Sequence, residues 1–172
     1  MKKTLLVLFA AASLALCVSS CGDPKTTAEM LTGQTKGWVL SSATSNPAYE
    51  LSSGRSVENL MDGYFYECEM DDIITFQENG VQLINPGKKI DAEWGYQAET
   101  YAAWALSEND TKLTMQLPFF YDNTNMNFDL EPEVCTIASI TSNQLVLEYK
   151  FNDNESPAKG EYTFTLTYVP AK

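Results

Sequence analysis

The chain has 172 residues, and 11 basic against 23 acidic residues give it a formal net charge of −12, with no histidine. This length corresponds to one domain, and an apolar fraction of 44% with 12% aromatic residues rules out a disordered chain. The acidic balance argues against nucleic-acid binding, which needs a basic surface, and the lack of histidine removes the commonest general base and metal ligand.

The amino terminus is typical of a secretory signal peptide. Lys2 and Lys3 precede an apolar run over 5–16, and small residues then lead to Cys21. The run is about 12 residues long, which is too short to cross a bilayer as a helix of the mature protein. The pattern therefore predicts a signal peptide over 1–20 and an exported protein.

The end of this segment resembles a bacterial lipobox, with an aliphatic residue, two small residues and a cysteine in the order Val18, Ser19, Ser20 and Cys21. The resemblance implies that Cys21 becomes the first mature residue and carries acyl chains, of which two suffice for stable membrane anchoring. A secreted protein with a free Cys21 is the alternative. We expect a lipidated cysteine and polar tether over 21–30 and a folded domain over 31–172.

The charge of the mature chain indicates how it stays at the membrane. Loss of Lys2 and Lys3 leaves nine of the 11 basic residues against 23 acidic ones, so anionic headgroups repel the domain. The lipid anchor alone must then hold the protein to the membrane. Gly22 provides no obvious signal for inner-membrane retention, so we expect the outer membrane of the cell envelope, with the domain facing either the periplasm or the outside.

Two cysteines, Cys68 and Cys135, remain for the folded domain once Cys17 is removed and Cys21 is acylated. An even pair in an exported domain indicates a disulfide, which for a loop of this length stabilises the fold by roughly 4 kcal/mol in the chain-entropy estimate. Two separate buried thiols are the alternative. Two cysteines without histidine do not fill a tetrahedral shell, so the sequence predicts no metal and no cofactor.

Most of the domain alternates apolar and polar residues with the period of a β-strand. One helical turn is predicted over 27–31, ended by Gly33, and the irregular connection over 46–63 is expected to hold a short helix around 57–61. An Asn-Gly pair at 79–80 is a strong hairpin signal. The alternation predicts about eight strands, over 38–45, 73–77, 81–85, 101–106, 112–119, 134–140, 144–151 and 161–169.

Short strands without long helical periods predict an all-β antiparallel domain, either a sandwich or an up-and-down barrel of about eight strands. Barrel closure is favoured because it removes exposed strand edges. The interior of such a barrel is barely wide enough for side chains, so a filled or narrow interior is favoured over a sizeable pocket. The residues expected to face the interior, which are the candidate ligand-binding residues, are Trp104, Leu113, Met115, Leu117, Tyr149, Tyr162, Phe164 and Leu166.

Several stretches resemble the lipocalin-like domain found in small lipoproteins of Gram-negative bacteria: LTGQTKGWVLSSAT, ECEMDDIITFQENG, AAWALSENDTKLTMQ, and LVLEYKF followed by GEYTFTLTYVP. The resemblance covers most of 31–170 and implies an eight-stranded antiparallel barrel without a catalytic signature.

The chain departs from the family in two respects. Such domains often place a cysteine soon after the central hairpin, whereas 86–94 has none and Cys135 is the remaining partner for Cys68. The connection over 47–66 is also long, so we expect a differently shaped barrel mouth.

Two acidic clusters allow a metal or catalytic hypothesis. The first is Glu67, Glu69, Asp71 and Asp72, and the second is Asp122, Asp129, Glu131 and Glu133. Calcium takes six to eight oxygen ligands, but the second cluster has Phe128 and Val134 where the known calcium loop has glycine and glutamate. Solvated loop charge is therefore the favoured interpretation. A nucleophilic serine would need a lysine base, and Lys112 and Lys150 fall on predicted outward faces.

The leading hypothesis is a non-enzymatic lipoprotein of the cell envelope, anchored through Cys21. Its barrel would bind a small apolar molecule in its mouth or an envelope protein at its rim. The main alternative is a surface glycan-binding module that uses Trp94 and Tyr96 as stacking platforms. A carboxylate-dependent hydrolase is a minor alternative. It needs two carboxylates at a defined separation, and with 23 acidic residues in the chain a chance pair is certain, so their number is no evidence for it.

Overall fold

A computed structural model describes residues 24–89, 99–117, 132–153 and 160–172. The predicted signal peptide, Cys21, the aromatic pair Trp94 and Tyr96, and the second acidic cluster up to Glu131 lie outside these residues, so the predictions made for them stay predictions. Within the described residues, no helix is both long and apolar enough to cross a bilayer.

The described chain forms one short helix, α1 (Thr27–Thr32), and ten strands. The predicted helical turn is therefore confirmed. The strands are β1 (Trp38–Glu50), β2 (Ser56–Asn59), β3 (Ile73–Phe76), β4 (Val81–Asn85), β5 (Thr100–Ala103), β6 (Ala105–Ser107), β7 (Lys112–Met115), β8 (Glu133–Ile140), β9 (Leu145–Asp153) and β10 (Gly160–Pro170).

All strand pairs are antiparallel, in the order β5-β4-β3-β1-β10-β9-β8-β7-β6, with β2 paired only to β1. The two ends of this order, β5 and β6, are consecutive in the chain and are separated only by Trp104. β5 and β6 are thus two halves of one bent strand, and each half forms one edge of the sheet. The sheet therefore wraps into a nearly closed up-and-down barrel. With β5 and β6 counted as one strand and β2 set aside, eight strands form the wall, and the predicted all-β barrel is confirmed.

A side chain helps to close the barrel where β5 bends into β6. Gln82 on β4 is fully buried, and its Nε2 donates a hydrogen bond to the carbonyl of Gln116, 2.7 Å away. The N–H of Gln116 in turn donates to Oε1 of Gln82 at 2.8 Å. The amide of Gln82 thus pairs with the backbone after β7 as a neighbouring strand would.

The barrel interior is filled by side chains from alternate positions of the strands. On β10 the buried residues are Tyr162, Phe164, Leu166 and Tyr168, with threonines between them. Leu113 and Met115 from β7 and Leu147 from the neighbouring strand β9 are also fully buried and belong to the same core. Burial of each such side chain contributes roughly 1.5–3 kcal/mol, so the interior is the main source of stability.

The helix packs against one end of the barrel, which we term the closed end. Thr26 and Glu29 form a capping box that starts α1, with Oγ1 of Thr26 accepting from the N–H of Glu29 at 3.1 Å. Leu31 is fully buried, and its carbonyl accepts a hydrogen bond from Nε1 of Trp38 at 3.2 Å. Gly37, between them, has a φ of +82°, a conformation that favours glycine.

The structure corrects the prediction for the segment after β1. We expected β1 to end at Ser45 and a helix to form around 57–61, but β1 continues to Glu50 and the second segment is the strand β2. Pro47 falls within β1, although proline lacks an N–H and is found mainly at the edges of sheets. It lies beyond the last pair with β10, Asn46 with Thr163, in the part of β1 that pairs with β2 alone.

The predicted disulfide is also wrong, because Cys68 and Cys135 are both buried and no disulfide joins them. Cys135 lies on β8, and Cys68 lies in the turn before β3. Three strands, β1, β10 and β9, separate β3 from β8 around the barrel. A bridge requires Cα atoms within about 7 Å, and the structure shows no disulfide at either cysteine. Burial raises the pKa of the Cys135 thiol to about 12, which keeps it protonated.

Candidate functional site

A pocket of about 370 Å³ lies at the barrel end opposite α1, which we term the mouth. It forms where β1 ends, where the turn leads into β2, and where the connection between β2 and β3 returns to the barrel. The residues that line it are Tyr49, Leu51, Ser52, Gly63, Tyr64, Phe65 and Tyr66.

Backbone hydrogen bonds hold the connection between β2 and β3 against the barrel. The N–H of Leu60 donates to the carbonyl of Ala43 on β1 at 2.9 Å, and the N–H of Tyr64 donates to the carbonyl of Leu60 at 3.1 Å. Leu60 is fully buried, and Phe65 is nearly so. The apolar anchors Leu60 and Phe65 thereby fix the position of Tyr64 between them.

Aromatic rings form the wall of the pocket. The ring of Tyr64 meets that of Tyr49 at a centroid distance of 4.9 Å and an angle of 83°, and that of Phe65 at 5.1 Å and 83°. Tyr64 also contacts Phe164, an inward residue of β10, at 5.4 Å. The pocket thus opens directly above the filled interior, and edge-to-face contacts continue from one into the other.

Two buried carboxylates lie beside the aromatic wall. The hydroxyl of Tyr49 donates to Oδ2 of Asp153 at 2.7 Å, and the N–H of Tyr66 donates to Oε2 of Glu69 at 2.8 Å. Asp153 is 8% exposed and Glu69 is 4% exposed. Burial, and then the neighbouring Tyr49, Asp153 and Glu69, raise the pKa of Tyr64 well above its ordinary value. Tyr64 is therefore a neutral phenol at physiological pH.

The structure places seven of the eight predicted ligand-binding residues in the core. The seven buried residues are Leu113, Met115, Leu117, Tyr149, Tyr162, Phe164 and Leu166. Trp104 is half-buried at the bend between β5 and β6, where it packs against Phe76 at 5.4 Å and donates to the carbonyl of Gln77. These residues fill the barrel and do not line the mouth pocket, and their contact with a ligand stays a prediction.

The pocket residues Tyr49, Tyr64 and Phe65 were not among the predicted site residues. The available signal was the unusual length of the connection over 47–66, which predicted a differently shaped mouth without naming its residues. This connection supplies every residue that lines the pocket in the described part of the chain.

Two residues of the first acidic cluster, Asp71 and Asp72, have a structural role. Asp71 accepts backbone hydrogen bonds from Lys88 and Lys89 at 2.7 and 3.0 Å, and Asp72 accepts one from Gly87 at 3.3 Å. Among the described residues, no group of histidine, cysteine, aspartate or glutamate side chains has the arrangement of a metal site. The two adjacent carboxylates bind the chain after β4 and lie outside the mouth pocket.

Lys112 and Lys150 were predicted to face outward. Lys150 is exposed, whereas Lys112 is half-buried and donates a hydrogen bond to Thr136 at 2.8 Å. Of the second acidic cluster, the structure describes Glu133, which begins β8 and lies beside Tyr149.

An up-and-down barrel with a helix at one end and a pocket at the other belongs to the class of small antiparallel β-barrels. Within that class, the chain belongs to the lipocalin-like domain family, whose model matches residues 32–147. No curated protein matches the chain.

The chain is also similar to two solved structures. One is bovine odorant binding protein in complex with a selenium-containing odorant, at 14% identity and a TM-score of 0.43, with 88% of this chain and 76% of that chain covered. The other is bovine odorant binding protein in complex with undecanal, at 14% identity and a TM-score of 0.41, with 83% and 74% covered.

Proposed function

We propose that this protein is a non-enzymatic, membrane-anchored binding protein of the cell envelope that takes a small apolar molecule at the mouth of its barrel. The observation that carries the proposal is the aromatic pocket formed by Tyr49, Tyr64 and Phe65. Its volume of about 370 Å³ lies within the range of small-molecule pockets, roughly 300–1,000 Å³.

The filled interior supports binding at the mouth. Leu113, Met115 and Phe164 have no exposed surface and belong to the hydrophobic core, and protein cores have few voids. A ligand deeper in the barrel would have to displace such side chains. A ligand at the mouth contacts rings that are already in place, so binding requires little rearrangement.

The chemistry of the lining supports binding over catalysis. The described residues around the pocket offer phenol and alcohol hydroxyls, apolar side chains and backbone, with the carboxylates of Asp153 and Glu69 engaged behind them. Tyr64 stays protonated, so it is a poor nucleophile. A protein partner at the rim of the barrel stays a prediction.

Membrane anchoring through Cys21 is part of the same proposal, and it rests on the lipobox resemblance. Labelled palmitate should appear on the wild-type polypeptide and be lost in Cys21→Ser, and density-gradient fractions of the host should place the protein in the outer membrane. Label that persists in Cys21→Ser, or a wild-type protein in the soluble fraction, would refute the anchor.

Binding can be tested with N-phenyl-1-naphthylamine, a small apolar probe whose fluorescence rises in an apolar site. We expect the mature wild-type protein to enhance the fluorescence and Tyr64→Ala to bind the probe about tenfold more weakly, because truncation removes a central aromatic contact. The matched control is Tyr101→Ala, since Tyr101 is 65% exposed on β5 and lies outside the pocket. Equal binding by all three proteins would refute the proposed site.

A further inference from the structure

We propose that the closed end of the barrel is the surface that faces the lipid bilayer, so that the mouth opens away from the membrane and exchanges its ligand on that side. This inference rests on the proposed function, namely on the anchor at Cys21, and adds the orientation of the pocket. It follows from the length of the tether, the position of α1 and the distribution of exposed charges.

The tether between the anchor and the helix is short. Thr26 caps α1, and Cys21 lies only five positions before it. An extended chain spans at most about 3.6 Å per residue, so these five residues reach at most about 18 Å. The start of α1 is therefore held close to the lipid.

Several contacts fix α1 to the closed end. Leu31 in the helix is fully buried in the core of the barrel. Just after the helix, Nε2 of Gln34 donates a hydrogen bond to the carbonyl of Ser142, in the turn between β8 and β9, at 2.7 Å. The N–H of Ala171, which follows β10, donates to the carbonyl of Gly37 at 2.9 Å. The tether thus holds a rigid end of the barrel and not a separate segment.

The mouth lies a full strand away from this attachment. The 13 residues of β1 run from Trp38 at the closed end to Glu50 at the mouth, and at about 3.3 Å per residue they span about 40 Å. Strands of a barrel tilt by roughly 35–45° from its axis, so the two ends lie about 30 Å apart. This distance exceeds the reach of the tether.

The closed end carries a balanced set of charges. Among its described residues that are not buried, four are basic and four are acidic. They are Lys25, Lys36, Lys112 and Lys172, and Glu29, Glu78, Glu108 and Asp110. Anionic headgroups therefore meet no excess of negative charge at this end.

The half of the barrel towards the mouth is acidic. Among its described residues that are not buried, eight are acidic and four are basic, and Glu148 lies between the two halves. The acidic ones are Glu50, Glu58, Asp62, Glu67, Asp71, Glu99, Glu133 and Glu161, and the basic ones are Arg55, Lys88, Lys89 and Lys150. An anionic lipid surface repels this half, which disfavours a barrel that lies on its side or with its mouth down.

The test measures how close each end lies to the lipid. The lipidated protein is reconstituted into vesicles of phosphatidylethanolamine, phosphatidylglycerol and a lipid with a spin label on its headgroup, which quenches nearby fluorophores. One fluorophore is attached at Asn143→Cys, in the exposed turn between β8 and β9, and another at Ser53→Cys, in the exposed turn between β1 and β2. We expect quenching at Asn143→Cys to be at least about twofold stronger, because the mouth lies about 30 Å farther away.

Two controls accompany the labels. Cys68 and Cys135 are buried, so the wild-type protein labelled in the same way measures the background from these thiols. Insertion of about 20 glycine and serine residues between Gly22 and Asp23 gives a long flexible tether. This insertion should lower the quenching at Asn143→Cys by about half or more, since the closed end is then free to leave the membrane.

The outcomes separate this inference from the proposed anchor. If the protein does not float with the vesicles, the anchor is wrong and the inference falls with it. If the protein floats but the label at Ser53→Cys is quenched as strongly as the label at Asn143→Cys, the orientation is wrong and the anchor stands. Quenching at Asn143→Cys that the insertion leaves unchanged would also overturn the inference, because the short tether would then not hold the closed end.

Discussion

The side chain of Asp72 is almost completely buried. It precedes β3, is 3% exposed, and accepts one hydrogen bond from the N–H of Gly87. Burial, and next to it the charge of Asp71, outweigh that hydrogen bond and raise the pKa of Asp72 from 3.8 to about 7. The fully buried hydroxyl of Tyr168 is close enough for the carboxylate to affect its pKa. The folded protein therefore favours the protonated acid at this position.

This shift predicts a stability that falls as the pH rises. Between pH 4 and 7 the folded state holds a proton on Asp72 that the unfolded state has lost, so the stabilisation is complete below about pH 4 and disappears as the pH passes 7. Asp72→Asn cannot titrate. We expect the Tm of the wild type, relative to Asp72→Asn, to fall by several degrees from pH 4 to pH 8 in thermal unfolding followed by circular dichroism.

The control for this titration is Asp110→Asn. Asp110 is exposed in the turn between β6 and β7, and its positive φ of 62° is one that asparagine also adopts. This variant controls for the loss of one negative charge at the surface. A difference between the wild type and Asp72→Asn that stays constant with pH would show that Asp72 has an ordinary pKa in the folded protein.

At the scale of elements, Gln82 joins strand β4 to the end of β7. Gln82→Met keeps much of the volume but leaves the N–H and carbonyl of Gln116 without their partner in a site that is 5% exposed. Each buried polar group left unsatisfied costs about 1–3 kcal/mol, so we expect a loss of about 2–4 kcal/mol in urea denaturation. Gln144→Met, at an exposed position before β9, should cost less than about 0.5 kcal/mol. Similar losses in the two variants would refute a closing role for Gln82.

The elements also show what the sequence could and could not predict. Strands β9 and β10 were predictable, because each alternates apolar and polar residues and the structure buries the apolar set. Strand β2 was not, since its four residues include only one apolar side chain, Val57, and it exists through pairing with the end of β1. The hydrogen bonds of Gln82 were not predictable either, because its partner Gln116 lies 34 positions away and no local pattern relates the two.

At the scale of the whole molecule, the filled interior and the mouth pocket occupy different parts of the barrel. The interior was predictable as a filled core, because the strand pattern fixes which side chains point inward. The mouth pocket was not, because Tyr49 and Tyr64 come together only when the connection after β2 folds back onto the barrel. The unusual length of that connection indicated where the barrel would differ. Which of its residues contact one another depends on tertiary packing, which local sequence patterns do not predict.

The absence of a bridge between Cys68 and Cys135 makes a prediction for the molecule as a whole. If burial alone stabilises the barrel, a reducing agent should leave the Tm of the mature protein unchanged, since there is no cross-link whose loss would free the unfolded chain. Both thiols are buried, so iodoacetamide should modify them slowly in the native protein and rapidly in urea, at a rate that reports opening of the barrel. Intact-mass analysis after alkylation in urea without reductant should find both residues modified. Modification that requires prior reduction, together with a lower Tm in reductant, would show that the protein holds a disulfide in solution.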